Sequence, residues 1–164
     1  MSELVSTNWL YKNLGNKNLI IFDSSWHMPN VHRDAFKEFK HGHIRKSQFF
    51  DIDKISNQKT NLPHMIPSIN YFQKVVRSFG VNNDSIIIVY DTLGLYSSAR
   101  VWWLFNYFGH EKIFILNGGL KKWLKEEKPI TKKIFKPKLG NFKVKINHSL
   151  ITNYKIILKN LNNK

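Results

Sequence analysis

Apolar residues recur along this chain with two alternating periods, one suited to helices and one to buried strands. Residues 4–14 predict an amphipathic helix, with Ser6 as its N-cap and Trp9, Leu10 and Leu14 on one side. The continuous run LIIFD at 19–23 predicts a buried strand. Residues 33–40 predict a short helix with Ala35, Phe36 and Phe39 apolar, and 47–50 a further strand. The stretch 54–67, rich in Asn, Gln, Ser and Pro, predicts a long surface loop of the kind that carries function or meets a partner. Helical spacing returns over 68–79, with Ser68 as cap, Phe72, Val75, Val76 and Phe79 as core stripe, and Gly80 as terminator. SIIIVY at 85–90 is the strongest strand signal. Residues 98–108 predict a helix with Val101, Leu104, Phe105 and Phe108 on one face. Trp102, Trp103 and Tyr107 lie elsewhere around it and no charge follows Arg100, so burial on more than one side is expected. A strand at 112–116, a turn at Gly118 and Gly119, and a helix at 120–127 packing through Leu120, Trp123 and Leu124 complete the series.

Strands alternating with helices at this spacing predict an α/β fold: a mostly parallel central sheet with helices on both faces. Sites in such sheets form beyond the carboxyl ends of the strands. The character changes at residue 131, where a Lys-rich segment with Pro137 and Gly140 leads to a second amphipathic pattern at 149–161. The expected organisation is one domain over 1–130 and a basic linker with a C-terminal helix over 131–164.

Composition narrows the chemistry. No cysteine is present, which excludes disulfides, thiolate metal sites and thiol catalysis within these 164 residues. No apolar run reaches the length of a membrane span, and the first residues show neither a basic nor an apolar leader pattern, so a cytoplasmic location is expected. The net charge is +15, and the segment 131–164 holds 9 of the 26 basic residues and none of the 11 acidic ones. Such a segment could contact nucleic acid. Lys and Asn are abundant throughout and Arg, the better bidentate phosphate ligand, is scarce, so the charge reads as compositional bias and nucleic acid is not an expected partner.

The chemistry-bearing residues gather where the strand at 85–90 runs through a loop into the helix at 98–108. Backbone N–H groups and a helix N-terminus there make a cradle for an anion. Asp91 stands where a sulfur nucleophile would be looked for. Asp91 as a general base lacks a partner acid, metal cluster or nucleophile nearby, and the favoured reading has it accept the loop's N–H groups. Ser97 and Ser98 read as helix caps, since no nucleophile elbow surrounds them. Arg100, in the first helical turn, is expected to pair with Asp91 or another carboxylate. His27, His32, His41 and His43 straddle a loop and a helix end without ligand spacing, so no metal is expected. Trp102, Trp103 and Trp123 read as core.

Seven ordered blocks carry a resemblance: VSTNWL at 5–10, IFDSSW at 21–26, RDAFKEFKHGHI at 33–44, FFDID at 49–53, LPHMIPS at 62–68, VYD with SSARVWWLFNYFGH through 110, and LNGGLKKW at 116–123. Over residues 4–130 the chain resembles the N-terminal half of the two-domain mercaptopyruvate and thiosulfate sulfurtransferases of the rhodanese superfamily. The resemblance implies two similarly folded halves, with the persulfide-bearing cysteine only in the second. Asp91, Ser97 and Arg100 then lie in the vestigial counterpart of the nucleophile loop. The LPHMIPS loop faces the other half, which makes His64 the substrate-side contact and Met65 an apolar wall beside it. One departure stands out: Arg45, Lys46 and Ser47 replace the Pro-Gly-Ala usual in the family after the His-Ile pair.

Under this resemblance, sulfur moves from 3-mercaptopyruvate or thiosulfate to a cysteine and then to an acceptor, without a cofactor. It does so only if a Cys-bearing C-terminal rhodanese domain is supplied, with the small donor held between the halves. The alternative is a non-catalytic rhodanese-like binding module or truncation remnant. An orphan half is expected to expose an apolar patch at the strand ends; a lone module is expected to be polar there.

Overall fold

The computed structural model describes residues 3–161. Its centre is a five-stranded, all-parallel sheet in the order β1-β6-β5-β2-β4, formed by β1 (Leu4–Val5), β2 (Leu19–Asp23), β4 (Ser47–Phe49), β5 (Ile86–Tyr90) and β6 (Ile113–Leu116). Side chains alternate across each strand, and this sorts the core into two layers. Ile20, Phe22, Ile87, Val89, Ile113 and Ile115 face α3 (Ile69–Ser78) and α4 (Ser98–Tyr107). Leu19, Ile21, Ile88, Tyr90 and Leu116 face α1 (Thr7–Asn13) and α5 (Gly119–Lys125). The first layer is aromatic: Phe22 packs against Phe50, Phe79 and Phe105, and Phe72 stacks on Phe108 with centroids 4.1 Å apart. The fold is therefore the α/β arrangement that the alternating periods predict.

Local chemistry sets the element ends. Ser6 and Ser68 cap α1 and α3 by accepting the N–H of Trp9 and Tyr71. Asp34 does the same for Lys37 at the start of α2 (Ala35–His41). Three expectations are corrected. Leu4 and Val5 form an edge strand on β6 rather than the start of a helix, because their backbone groups find a ladder there. Trp9 and Leu124 are exposed, since the buried stripes of their helices run through Leu10 and Leu14 and through Leu120 and Trp123. The helix expected to be buried on several sides, α4, sinks Val101, Leu104, Phe105 and Phe108, while Trp102, Trp103 and Tyr107 are only half-buried.

The basic stretch begins as β7 (Ile130–Thr131), antiparallel to β3 (His43–Ile44). It then runs as a strap across the first core layer. Phe142 N–H donates to Val81, Lys145 N–H to Phe108 and Asn147 N–H to Tyr107. Asn82 and Asn83 accept the N–H groups of Asn141 and Lys143. Phe142 is buried in the core, and Val144 and Ile146 pack beside it. A Cβ at Gly140 would collide with the Val81 carbonyl, so that contact requires glycine. Beyond the strap, α6 (Tyr154–Leu161) has no buried residue and leaves Tyr154, Ile156, Ile157, Leu158 and Leu161 at least half exposed. Among the described residues no helix is long and apolar enough to cross a membrane.

The departure at 45–47 has a backbone signature. Lys46 sits at φ +68°, in the left-handed region, between β3 and β4. Lys46→Gly is expected to raise stability by about 1 kcal/mol, because the side chain there costs more than the extra freedom of glycine in the unfolded chain. Thermal denaturation checks it; an unchanged or lower midpoint refutes it.

Candidate functional site

The carboxyl ends of β2, β4 and β5 open onto one end of the molecule, where three loops meet. After β5 comes the cradle. Asp91, 1% exposed, accepts the N–H groups of Leu93 (3.0 Å) and Gly94 on Oδ1 and those of Tyr96 and Ser98 (both 2.9 Å) on Oδ2. The Ser98 hydroxyl donates to Oδ2 as well, at 2.7 Å. One internal carboxylate therefore fills both the loop's anion nest and the N-terminus of α4. The loop is backed by α5: Leu120 N–H donates to the Asp91 carbonyl, and a Cβ on Gly119, at φ +55°, would collide with that same oxygen.

This geometry corrects two expectations. Arg100 makes no ion pair with Asp91; every Asp91 oxygen is taken by the loop and by Ser98. Its guanidinium instead donates to the His64 carbonyl at 2.6 Å and lies 4.6 Å from the Trp103 ring centre. Burial holds the Arg100 pKa below its ordinary value. Ser97 occupies the N-cap position of α4 yet makes no cap bond, because its backbone is already helical (φ −80°, ψ −23°) rather than extended as a capping residue requires. Its hydroxyl, with that of Thr92, is buried without a partner among the described residues.

After β2, Asp23 is buried and accepts the Ser25 N–H (3.0 Å) and hydroxyl (2.5 Å), while Ser25 Oγ accepts the Thr92 N–H. This couples the β2 loop to the cradle. Burial pushes the Asp23 pKa up, with the neighbouring Asp91 charge adding a small push the same way.

After β4, the loop through 54–67 brings in His64. Its Nε2 lies 2.8 Å from Asp53 Oδ1, and the same carboxylate receives the Trp26 indole N–H at 3.1–3.2 Å. The Trp26 ring meets His64 edge-on at 5.0 Å and stacks with Tyr96 at 6.4 Å. Trp26, Ile52, His64, Tyr96, Ser97 and Arg100 enclose a cavity of about 260 Å³. Structure thus joins His64, Ser97 and Arg100 at one cavity and leaves Asp91 outside its lining, sealed in the loop. Sequence reasoning missed Asp53, Trp26 and Tyr96. They stand in three separate loops, and only the convergence of strand ends assembles them. The three loops that meet here also carry exposed apolar side chains: Met28, Leu62, Met65, Leu93 and Leu95.

Three of the four clustered histidines take separate partners. His27 pairs with Glu38, His41 bonds the Lys37 carbonyl, and His43 is buried between the Phe39 and Lys133 carbonyls. Among the described residues no group of three His, Cys, Asp or Glu could hold a metal ion.

Comparison with known proteins gives a consistent set of likenesses. The profile of the rhodanese-like domain matches residues 6–126. The thiosulfate sulfurtransferase of Rattus norvegicus is 37% identical over 167 residues, covering 98% of this chain and 56% of the rat protein. The mitochondrial thiosulfate/3-mercaptopyruvate sulfurtransferase 1 of Arabidopsis thaliana is 45% identical over 120 residues, covering 73% of this chain and 32% of that protein. The crystal structure of SseA from Escherichia coli, described among 3-mercaptopyruvate sulfotransferases, superposes with a TM-score of 0.91 at 31% identity, over 97% of this chain and 61% of that one. The chain spans about half or less of the length of these curated relatives.

Proposed function

The chain belongs to the rhodanese-like domain family, and from that premise we propose that it is the nucleophile-free first half of a 3-mercaptopyruvate or thiosulfate sulfurtransferase. In this reading it supplies one wall of the donor site, and a Cys-bearing second half supplies the thiolate. The reaction passes a sulfur from the donor to that cysteine and then to a thiol or cyanide acceptor. His64, held by Asp53, faces the donor, and Trp26 and Tyr96 exclude water from it. The cytoplasm is the proposed compartment.

One observation carries the reading: the cradle is already occupied by Asp91, while the cavity lined by His64, Ser97 and Arg100 is open and the loops that form it carry exposed apolar side chains. A carboxylate cannot carry sulfane sulfur, so the chemistry must come from outside. An apolar rim at a site entrance marks a surface made to be covered. The uncovered apolar residues of α6 point the same way. A free-standing binding module would be expected to present a polar rim here, and Leu93, Leu95 and Met65 argue against that alternative.

The test mixes this chain with the Cys-bearing second half of the Escherichia coli relative. Association is followed by sedimentation, and thiocyanate formation from thiosulfate and cyanide by absorbance. The expected result is a complex whose rate exceeds that of the second half alone by about tenfold or more, corresponding to about 1.4 kcal/mol of barrier. The absence of both association and added rate refutes the proposal.

A further inference from the structure

His64 occupies a conformation that needs support. Its φ of +54° lies in the left-handed region, which a histidine enters at a cost, so the loop around it must hold it there. The carbonyl of this residue receives the Arg100 guanidinium at 2.6 Å. That guanidinium belongs to the first turn of α4, close to the N–H groups that Asp91 fixes, and it lies against the Trp103 face. Among the described residues no carboxylate forms an ion pair with it. A half-buried cation spending its directed bond on one backbone carbonyl is an anchor, and the residue anchored is the one whose ring meets Asp53 and Trp26.

We infer that Arg100 is a positioning residue for His64, fixing the left-handed turn at 64 so that the imidazole presents one tautomer to the cavity. The ionised Asp53 carboxylate only accepts, so Nε2 carries the proton in the neutral ring and Nδ1 is left as an acceptor. Arg100 sets this indirectly, through the backbone, and its guanidinium makes no contact with the ring nitrogens. The functional meaning rests on the proposed donor wall; the positioning itself does not.

The test is histidine ring ¹⁵N NMR on the full chain. In the parent protein the neutral His64 ring should show the Nε2–H tautomer. Arg100→Met, which keeps the length and removes the donor, should lose that signature and give averaged ring shifts. Arg100→Lys, which keeps a donor, should restore most of it. Trp103→Leu, which leaves the guanidinium and removes its stacking surface, should move the shifts part of the way, and it serves if Arg100→Met does not fold. The amide shifts of Gly94 and Ser98 report whether the Asp91 cradle is intact. Unchanged His64 shifts in both Arg100→Met and Trp103→Leu overturn the inference, as does a Lys variant no better than the Met one. Titration with thiosulfate of the parent chain paired with the Cys-bearing second half separates the two readings. A His64 ring that ignores thiosulfate but responds to Arg100→Met refutes the donor wall and leaves the positioning role standing.

Discussion

Asp91→Ala is expected to lower the unfolding free energy by about 3–5 kcal/mol, a loss readable by urea denaturation, because it strands several buried hydrogen-bond donors at once. The carboxylate accepts four backbone N–H groups and one hydroxyl within a single loop, at 1% exposure. Each charged hydrogen bond contributes more than a neutral one, and the N-terminus of α4 adds its own attraction for the negative charge. Asp91→Asn is expected to lose nearly as much. Its amide nitrogen is a donor and would face either Leu93 and Gly94 or Tyr96 and Ser98, all of them donors too. A loss below about 1 kcal/mol for the Ala variant would show that water replaces the carboxylate at little cost, and the sealed-cradle description would fail.

Phe142→Ala carries the second large effect, about 3–5 kcal/mol, as for other fully buried aromatics. The ring sits 1% exposed between Phe72 and His110, with centroids 6.4 and 5.5 Å away, and its carbonyl accepts the Arg77 side chain at 2.7 Å. Removing it opens a cavity under the strap and frees the backbone that lies along Val81. Lys145→Ala, three residues along the strap and exposed, is expected to stay within about 0.5 kcal/mol. Thermal or urea unfolding of the pair decides whether the basic stretch acts as part of the core. Equal and small effects would reduce it to a surface attachment.

What the sequence made legible was whatever a local period can encode. The four apolar residues of β2, the IIIVY of β5, and the Phe72 and Val76 stripe of α3 all lie where their spacing puts them. Two-residue strands such as β1 leave no period to detect. The strap did leave one: Phe142, Val144 and Ile146 alternate with Lys143 and Lys145, a strand-like pattern masked by the surrounding charge. At the site, His64 was found through the motif around it and Asp91 through its place after a strand. Arg100 was matched to the nearest acid along the chain, whereas its real partner is a carbonyl on a loop 36 residues away. Asp53, which orients that loop's histidine, ends the FFDID block, but nothing local marks its role, which exists only once β2 and β4 lie side by side.

The edge strand β1 has a consequence for the order in which the molecule is made. It is synthesised before every other strand of the sheet, yet its sheet partners among the described residues are Ile115 and Leu116 of β6. Between those two events β2, β4 and β5 leave the ribosome and can already pair with one another. The growing chain must therefore keep its first strand unpaired while the middle of the sheet assembles, then draw it in across nearly the whole domain. Such a long-separation contact makes folding slow and leaves the β6 edge open to wrong partners until β1 arrives.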